Sequence, residues 1–288
     1  MFTKNGNILK INGNWLNPSG SPVPPTPDPY NPLNLPPNTV RVRTIITGEP
    51  GSSYVPKNGS YDTATLVAGT TDVYDVYKSG TDFTKLFISS NNVVEVLGAN
   101  TTGITNMTNM FYNCSALTSV AIFDTSSVTT VVGMFYGCRT LTTVPLFDTS
   151  NVTSMENAFY GCRELSSVPL FNTSSVTNMK YMFYYCDSLT TVPLFDTSNV
   201  TTMQYTFLQC KALTYIPLFD TSKVNNMQST FNECQYVQHG ALALYQQAST
   251  QANPPSIHGG CFRNCGVATT TGSDEILQIP SDWGGLGN

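Results

Sequence analysis

The chain has 288 residues, of which 13 are Lys or Arg and 18 are Asp or Glu, for a formal net charge of −5. So few basic residues argue against binding to nucleic acid or to anionic membranes. No apolar run approaches the roughly 20 residues of a membrane-spanning helix, so we expect no membrane insertion. The N-terminus lacks the apolar core of a secretory signal. We therefore expect a protein that stays inside a cell or leaves it as part of a particle.

The first segment, residues 1–17, alternates apolar and polar side chains and contains Asn-Gly pairs at 5–6 and 12–13. Asn-Gly is a strong signal for a tight hairpin turn. A two-stranded hairpin is too small to fold alone, and its apolar side chains need a partner. We expect this hairpin to anchor the chain on another protein through Phe2, Ile8, Ile11 and Trp15.

The next two segments differ in composition. Residues 18–38 contain nine prolines, which predicts an extended, semi-rigid linker. Residues 39–80 contain three runs rich in β-branched and aromatic residues, with glycines between them. Such runs predict a small β unit. Because the terminal coil of a repeat array needs a cover, we interpret residues 39–80 as an N-terminal β cap.

Residues 81–240 repeat one phrase with a period of 24 residues. A fixed period in this range is typical of a solenoid, in which each repeat is one coil stacked on the last. The period is clearest at six cysteines: Cys114, Cys138, Cys162, Cys186, Cys210 and Cys234. Eight phenylalanines mark eight coils: Phe87, Phe111, Phe135, Phe159, Phe183, Phe207, Phe231 and Phe262. Residues 241–288 form an inserted C-terminal cap, with a short helix sequence and the last, divergent coil.

Within one coil the apolar residues follow two rhythms. The segment from Leu141 to Leu146 has the rhythm of a strand, and the segment from Met155 to Cys162 has the spacing of one helical face. The sequence thus predicts a repeat solenoid of the leucine-rich-repeat-like class, with a β-strand and a short helical turn in each coil. The repeated cysteines are interpreted as buried thiols that fill fixed slots. Cys261 and Cys265, four residues apart, remain open to pairing.

Two sets of polar residues carry competing interpretations. One is a column of Asp124, Asp148, Asn172, Asp196 and Asp220. Since Asp before Thr-Ser is typical of a turn in which the side chain caps backbone amides, we prefer capping to cation binding. His258, Cys261 and Cys265, with His239, have the residue types of a zinc site. Their spacing matches no strong zinc template, so we expect no metal and no other cofactor.

A second aromatic column lies beside the phenylalanines at Tyr112, Tyr136, Tyr160 and Tyr184, and the residues next to it vary between coils, including Tyr181 and Tyr205. Stacked tyrosines form a platform for sugar rings or for a protein partner. The competing interpretation is packing between turns at the outer edge of the coils. No phosphate-binding loop, nucleophile elbow or other catalytic arrangement is evident, so we expect no enzymatic activity.

The repeated phrase, seen in VTSMENAFYGCRELSSVPLF, resembles that of the BspA-like leucine-rich-repeat surface proteins over about residues 81–237. The closing stretch CFRNCGVATTTGSDEILQIPSDWGG is similar to the ending of related proteins from gut Bacteroidales and their phages. The resemblance implies surface attachment and no enzymatic activity.

These features together lead to a functional expectation. The leading hypothesis is a virion surface protein, a fibre or decoration of head or tail, that displays its solenoid to a glycan or protein of the host surface. The hairpin would bind another virion protein, and a homo-oligomer is possible. A bacterial cell-surface adhesin and a purely structural virion spacer are the alternatives.

Overall fold

The structure is a computed structural model, which describes residues 9–11, 14–16, 31, 33–44 and 60–287. Near the N-terminus, β1 (Leu9–Ile11) pairs antiparallel with β2 (Asn14–Leu16). Of the predicted anchoring residues, Phe2 and Ile8 lie outside the described residues. Ile11 and Trp15 lie in these strands, where the description is limited to the backbone.

A five-stranded sheet joins the N-terminal cap to the array. Its strands are ordered β4-β5-β3-β6-β7, where the ranges are β3 (Thr39–Thr44), β4 (Thr63–Leu66), β5 (Val73–Tyr77), β6 (Val93–Asn100) and β7 (Ser119–Val120). Strand β3 pairs antiparallel with both β5 and β6, and β6 is already part of the first coil. Since Val40 and Val42 of β3 are fully buried, the cap covers apolar surface at the open end of the array.

From the third coil onward, the predicted strand at the Leu–Val–Pro segment is wrong. Strand β7 pairs parallel with β6, and Ala121 directly after it donates to the Val96 carbonyl at 2.8 Å. The next three coils have Pro145, Pro169 and Pro193 in place of Ala121. Proline has no N–H to donate, so the ladder cannot continue there. At another segment of the coil, single parallel bridges join neighbouring coils along the whole array, from Asp82 with Asn106 to Asn226 with Ile257.

The predicted helical turn is also wrong. In each coil two residues four positions apart have positive φ, for example Gly133 (φ 59) and Gly137 (φ 70). An α-helix needs negative φ and i to i−4 bonds throughout. Here the Met134 amide bonds within its own coil, to Val131, whereas the Gly133 amide bonds to Glu156 of the next coil at 2.9 Å. The segment is therefore a chain of turns whose alternate amides connect neighbouring coils.

The interior is built from columns of identical residues, as the period predicts. The eight phenylalanine rings stack in one series, with centroids 5.1–5.8 Å apart and interplanar angles of 4–12°. All eight cysteines are free and buried. Each of the six repeated thiols donates to a phenylalanine carbonyl 27 residues earlier, as Cys162 does to Phe135 at 3.1 Å. Burial raises the pKa of these thiols, so they stay protonated and able to donate.

One interior column is interrupted in the coil of Phe159. Its members on either side are Met134 and Met182, but this coil has the smaller Ala158. A cavity of about 20 Å³ lies there, lined by apolar side chains that include Ala158, Phe159 and Phe171. The smaller side chain leaves its neighbours with fewer packing contacts than in the coils on either side.

The C-terminal segment closes the other end of the array. The predicted helix is present as α1 (Ala241–Thr250), whose Leu244 is fully buried. A second helix, α2 (Thr270–Ile276), was not predicted; its cap Thr269 accepts a hydrogen bond from the Gly272 amide. The last coil then stacks Phe262 on Phe231. None of the helices in the described part of the chain has the length and apolar character needed to cross a membrane.

Candidate binding surface

The predicted tyrosine column is a continuous stack at one edge of the coils. The ring centroids of Tyr112 and Tyr136 are 4.4 Å apart, and those of Tyr136 and Tyr160 are 4.3 Å apart, with nearly parallel planes. The stack breaks at Tyr184, whose ring is tilted by 39° from that of Tyr160. All four side chains are half-buried. Half-burial accounts for the packing interpretation and also leaves ring edges and hydroxyls accessible.

The break in the stack coincides with three further tyrosines. Tyr181 stacks on Tyr205 at 4.9 Å and 9°, and it meets Tyr184 edge to face at 5.8 Å. Tyr185 meets Tyr184 edge to face at 4.3 Å. We name Tyr160, Tyr181, Tyr184, Tyr185 and Tyr205 the tyrosine cluster. The sequence analysis included all of these except Tyr185.

Three members of the cluster occupy left-handed backbone positions. Tyr181, Tyr185 and Tyr205 have φ of 57, 59 and 58°. The three coils directly before them fill the same positions with residues that adopt positive φ more readily: Asn109, Asn113, Gly133, Gly137, Asn157 and Gly161. Other coils have Lys85, Ser89, Gln209, Ser229 and Glu233 there. A bulky side chain there costs about 1 kcal/mol or more, and such strain clusters at functional sites. The tyrosines are therefore not the residues that stability alone would select.

Tyr185 could have been identified from the sequence. It falls in the column of Asn113, Gly137 and Gly161, where a tyrosine departs from the repeat. Reading each column for departures from Asn or Gly would have identified it.

The chemistry of the cluster is that of neutral phenols with a few polar neighbours. Burial, and then the neighbouring tyrosines, raise the pKa of Tyr112 and Tyr160, and burial followed by Tyr185 raises that of Tyr184 to about 12. The hydroxyls therefore stay protonated at neutral pH and can both donate and accept hydrogen bonds. Lys180 lies 5.1 Å from the centre of the Tyr181 ring. An array of apolar ring edges, hydroxyls and amides can bind a ligand without reacting with it.

The aspartate column caps turns, as predicted. Asp148 accepts hydrogen bonds from the amide and hydroxyl of Ser150, at 3.0 and 2.7 Å. Asn172 makes the same pair of contacts with Ser174. Because the side-chain amide of Asn172 caps its turn as the carboxylate of Asp148 does, local capping accounts for the column. Single amide contacts of this type recur at Asp124 and Asp220, and Asp196 repeats the pair.

The residues weighed as a zinc site have other partners. His258 stacks on Trp283 at 4.2 Å, and its Nε2 lies 3.3 Å from a carboxylate oxygen of Asp282. His239 lies 3.6 Å from Glu275 instead. Cys261 and Cys265 are buried free thiols. Within the residues that the structure describes, no three His, Cys, Asp or Glu side chains are grouped to hold a metal ion.

A row of leucines on another surface was wrongly assigned to the strand rhythm of the interior. Leu146, Leu170, Leu194 and Leu218 are 55, 59, 60 and 50% exposed. The following Phe147 amide donates to the Pro145 carbonyl at 3.0 Å, and the next three coils repeat this bond. Such a bond closes a three-residue turn with leucine at its centre. The turn directs phenylalanine inward and leucine outward.

The structure thus defines a repeat solenoid with a small N-terminal sheet. The model of the family described as "Mycoplasma protein of unknown function, DUF285" matches residues 81–192 and again 133–245. Together these matches span 81–245, more than half of the chain, so the chain belongs to this family. No match was found among curated proteins.

One similar solved structure is the crystal structure of a leucine-rich repeat protein from Eubacterium ventriosum. It is 23% identical, with a TM-score of 0.39, over 68% of this chain and 48% of that chain. The chain therefore matches about half the length of that protein.

Proposed function

We propose that the chain is a non-enzymatic attachment protein on the surface of a virion, and that the tyrosine cluster of its solenoid binds a glycan or protein of the host surface. One observation carries the proposal. Tyr181, Tyr185 and Tyr205 hold positive φ where Asn or Gly would be less strained. A protein that only spaced two objects apart would have no use for a cluster of contacting tyrosine rings held at this cost, whereas a binding surface has one.

The setting on a virion rests on the sequence ahead of the cap. Residues 18–38 contain nine prolines, and a linker of this composition holds a domain away from its attachment point. Its last residues pack on the cap, where Leu35 is buried and its carbonyl accepts a hydrogen bond from the Asn100 side chain at 2.9 Å. The segment before it has apolar residues at a hairpin, which suits docking on a second protein. A bacterial cell surface is the alternative setting with the same binding role.

The binding role is tested with a triple variant, Tyr181→Asn, Tyr185→Asn and Tyr205→Asn. Asparagine adopts positive φ readily, so the variant removes the rings while relieving strain. We expect the fluorescently labelled variant to bind host cells at least tenfold less than the unaltered chain, as measured by flow cytometry, with an unchanged or higher melting temperature.

The matched control is Leu146→Asn, Leu170→Asn and Leu194→Asn. It removes three exposed apolar side chains from the same solenoid, one per coil, none of them a member of the tyrosine cluster. This control should bind like the unaltered chain. Equal binding by the tyrosine variant would refute the role of the cluster and leave the spacer hypothesis in its place.

Whether the protein is on a virion or on a bacterial cell surface is tested separately, by mass spectrometry of purified particles and of bacterial surface fractions. We expect peptides of the chain in the particles, and a chain lacking residues 1–17 should be absent from them. Detection only in the bacterial surface fraction would replace the virion with the cell surface as the site of attachment.

A further inference from the structure

The Tyr181–Tyr205 stack has an open end. The two rings lie 4.9 Å apart at 9°, so a flat group placed one coil further would continue the stack. That position is filled by Ser229 and, in the next coil, by Gly260, both with positive φ. A Cβ on Gly260 would lie 3.5 Å from the Ser229 Oγ, and one on Gly259 would meet nothing within 4 Å. We name the ring face of Tyr205 with Ser229 and Gly260 the Tyr205 shelf.

Amide groups surround the Tyr205 shelf. The Gln228 Oε1 accepts a hydrogen bond from Gln204 at 2.7 Å, which fixes the orientation of the Gln228 amide. The Gln228 Nε2 has no hydrogen-bond partner among the described residues. Asn232 follows Ser229 by three residues, and its Oδ1 is buried without a hydrogen-bond partner in the same part of the chain. The buried Asn232 oxygen is out of reach of a surface ligand, so the unused donor next to the shelf is the amide of Gln228, the residue before Ser229.

The space extends beyond the shelf toward the C-terminal cap. A cavity of about 400 Å³ begins at Gly260 and is lined by Arg263, Asn264, Ser281, Gly285 and others. Its walls are partly polar, and it is open to solvent. A ligand of more than one ring could occupy the shelf with one unit and the cavity with the next.

This combination fits a sugar ring. A pyranose has an apolar C–H face, which packs on an aromatic ring, and hydroxyls at its rim, which both donate to and accept from amides. Tyr205, Gln228, Ser229 and Gly260 are all uncharged, and Arg263 begins on the cavity side, its Cβ 3.8 Å from the position of a Cβ on Gly260. The chemistry is that of an uncharged ring rich in hydroxyls.

We propose that the Tyr205 shelf is a subsite for a pyranose ring of a surface glycan. The inference rests on the proposed attachment function and names the ligand class that the tyrosine cluster binds.

The test uses the full chain and an array of immobilised oligosaccharides built from neutral hexoses and N-acetylhexosamines, with calorimetry for those that bind. The blocking variant is Ser229→Leu, because a side chain of that size fills the position one coil beyond Tyr205, and Gln209 and Glu233 show that the coils accept long side chains at positive φ. The control is Ser229→Gly, which keeps the shelf open and suits the positive φ. We expect Ser229→Leu to weaken binding about tenfold or more and Ser229→Gly to preserve it.

A second variant separates binding from folding. Tyr205→Asn removes the ring and relieves its left-handed strain, so the melting temperature should hold or rise while glycan binding is lost. If Tyr205 were only a packing residue, the variant would lower the melting temperature and leave binding intact.

Two outcomes would overturn the inference: the unaltered chain binds no oligosaccharide of the array, or Ser229→Leu and Ser229→Gly bind equally well. The proposed attachment function is read out independently, from binding to host cells before and after enzymatic removal of their glycans. Cell binding that survives deglycosylation and is lost after protease treatment would refute the sugar subsite and keep the attachment role. No binding to cells at all would refute both.

Discussion

The interior of the solenoid differs from the edge formed by residues with positive φ in how much the sequence varies from coil to coil. Inside, all eight coils repeat the same phenylalanine and seven of them the same cysteine, because each side chain packs against its own copy in the next coil. At the edge, one left-handed column runs from Asn109 through Gly133 to Tyr181 and Tyr205. The interior is uniform where packing decides. The edge varies, and at Tyr181 and Tyr205 it does so against the preference of the backbone.

The largest expected effect comes from the interior at alkaline pH. Burial raises the pKa of all eight thiols above the ordinary value near 9, to about 12 for Cys114 and Cys261. The stabilisation is fully present below pH 9, where both states hold the thiol proton. Above it the unfolded state loses protons that the folded state keeps, so the free energy of unfolding falls by up to about 1.4 kcal/mol per pH unit for each thiol. Urea unfolding between pH 7.5 and 10.5 measures the slope.

The matched variant replaces Cys138, Cys162 and Cys186 with Ser, the residue at position 90 of the same column. In this variant the free energy of unfolding should fall less steeply with pH, by the equivalent of about three fewer protons released on unfolding. A free energy of unfolding that stays constant from pH 8 to 10.5 in the unaltered chain would contradict the interior position of the thiols.

The pH dependence contributed by the exposed Asp148 has the opposite sign. Hydrogen bonds from Ser150 lower the pKa of Asp148, so its contribution is present at neutral pH and lost in acid.

The next effect contrasts two leucines of one coil. Leu165 is fully buried and Leu170 is 59% exposed. Leu165→Ala should lower the free energy of unfolding by about 3 kcal/mol, because it removes core contacts and leaves a cavity. Leu170→Ala should change it by less than about 0.5 kcal/mol. Chemical denaturation of both variants checks this. Similar losses at the two positions would mean that the leucine row is packed in the protein.

The smallest effect concerns the imperfect interior column. Ala158→Val should fill part of the 20 Å³ cavity and raise the free energy of unfolding by about 0.5 kcal/mol. The buried Thr206 and Thr230 occupy the same repeat position, so a side chain of this shape fits the backbone. Ala158→Gly is the control and should lower stability. Thermal denaturation that moved both variants downward would show that the coil cannot accept a larger side chain.

Much of the fold could be predicted from the sequence, because a 24-residue period at cysteine and phenylalanine reports stacking directly. Local conformation was harder. The strand rhythm around Val144 was overruled by Pro145, which removes a donor, and the helical spacing around Phe159 was overruled by two positive φ values in every coil. Apolar spacing records which residues face inward, and it does not distinguish a helix from a chain of turns. The tyrosine column was predictable for the same reason as the core, whereas the strain at Tyr185 becomes visible only with backbone angles.

Alternate amides of each coil bond to the coil beside it, and that neighbour presents the same carbonyls in the same places. An added or deleted coil would therefore meet a surface identical to the one it replaced. Near-identical repeats in a gene recombine unequally, and an in-frame gain or loss of one repeat would change the reach of the array without a new folding problem. Array length could then drift between relatives far faster than the sequence of any single coil.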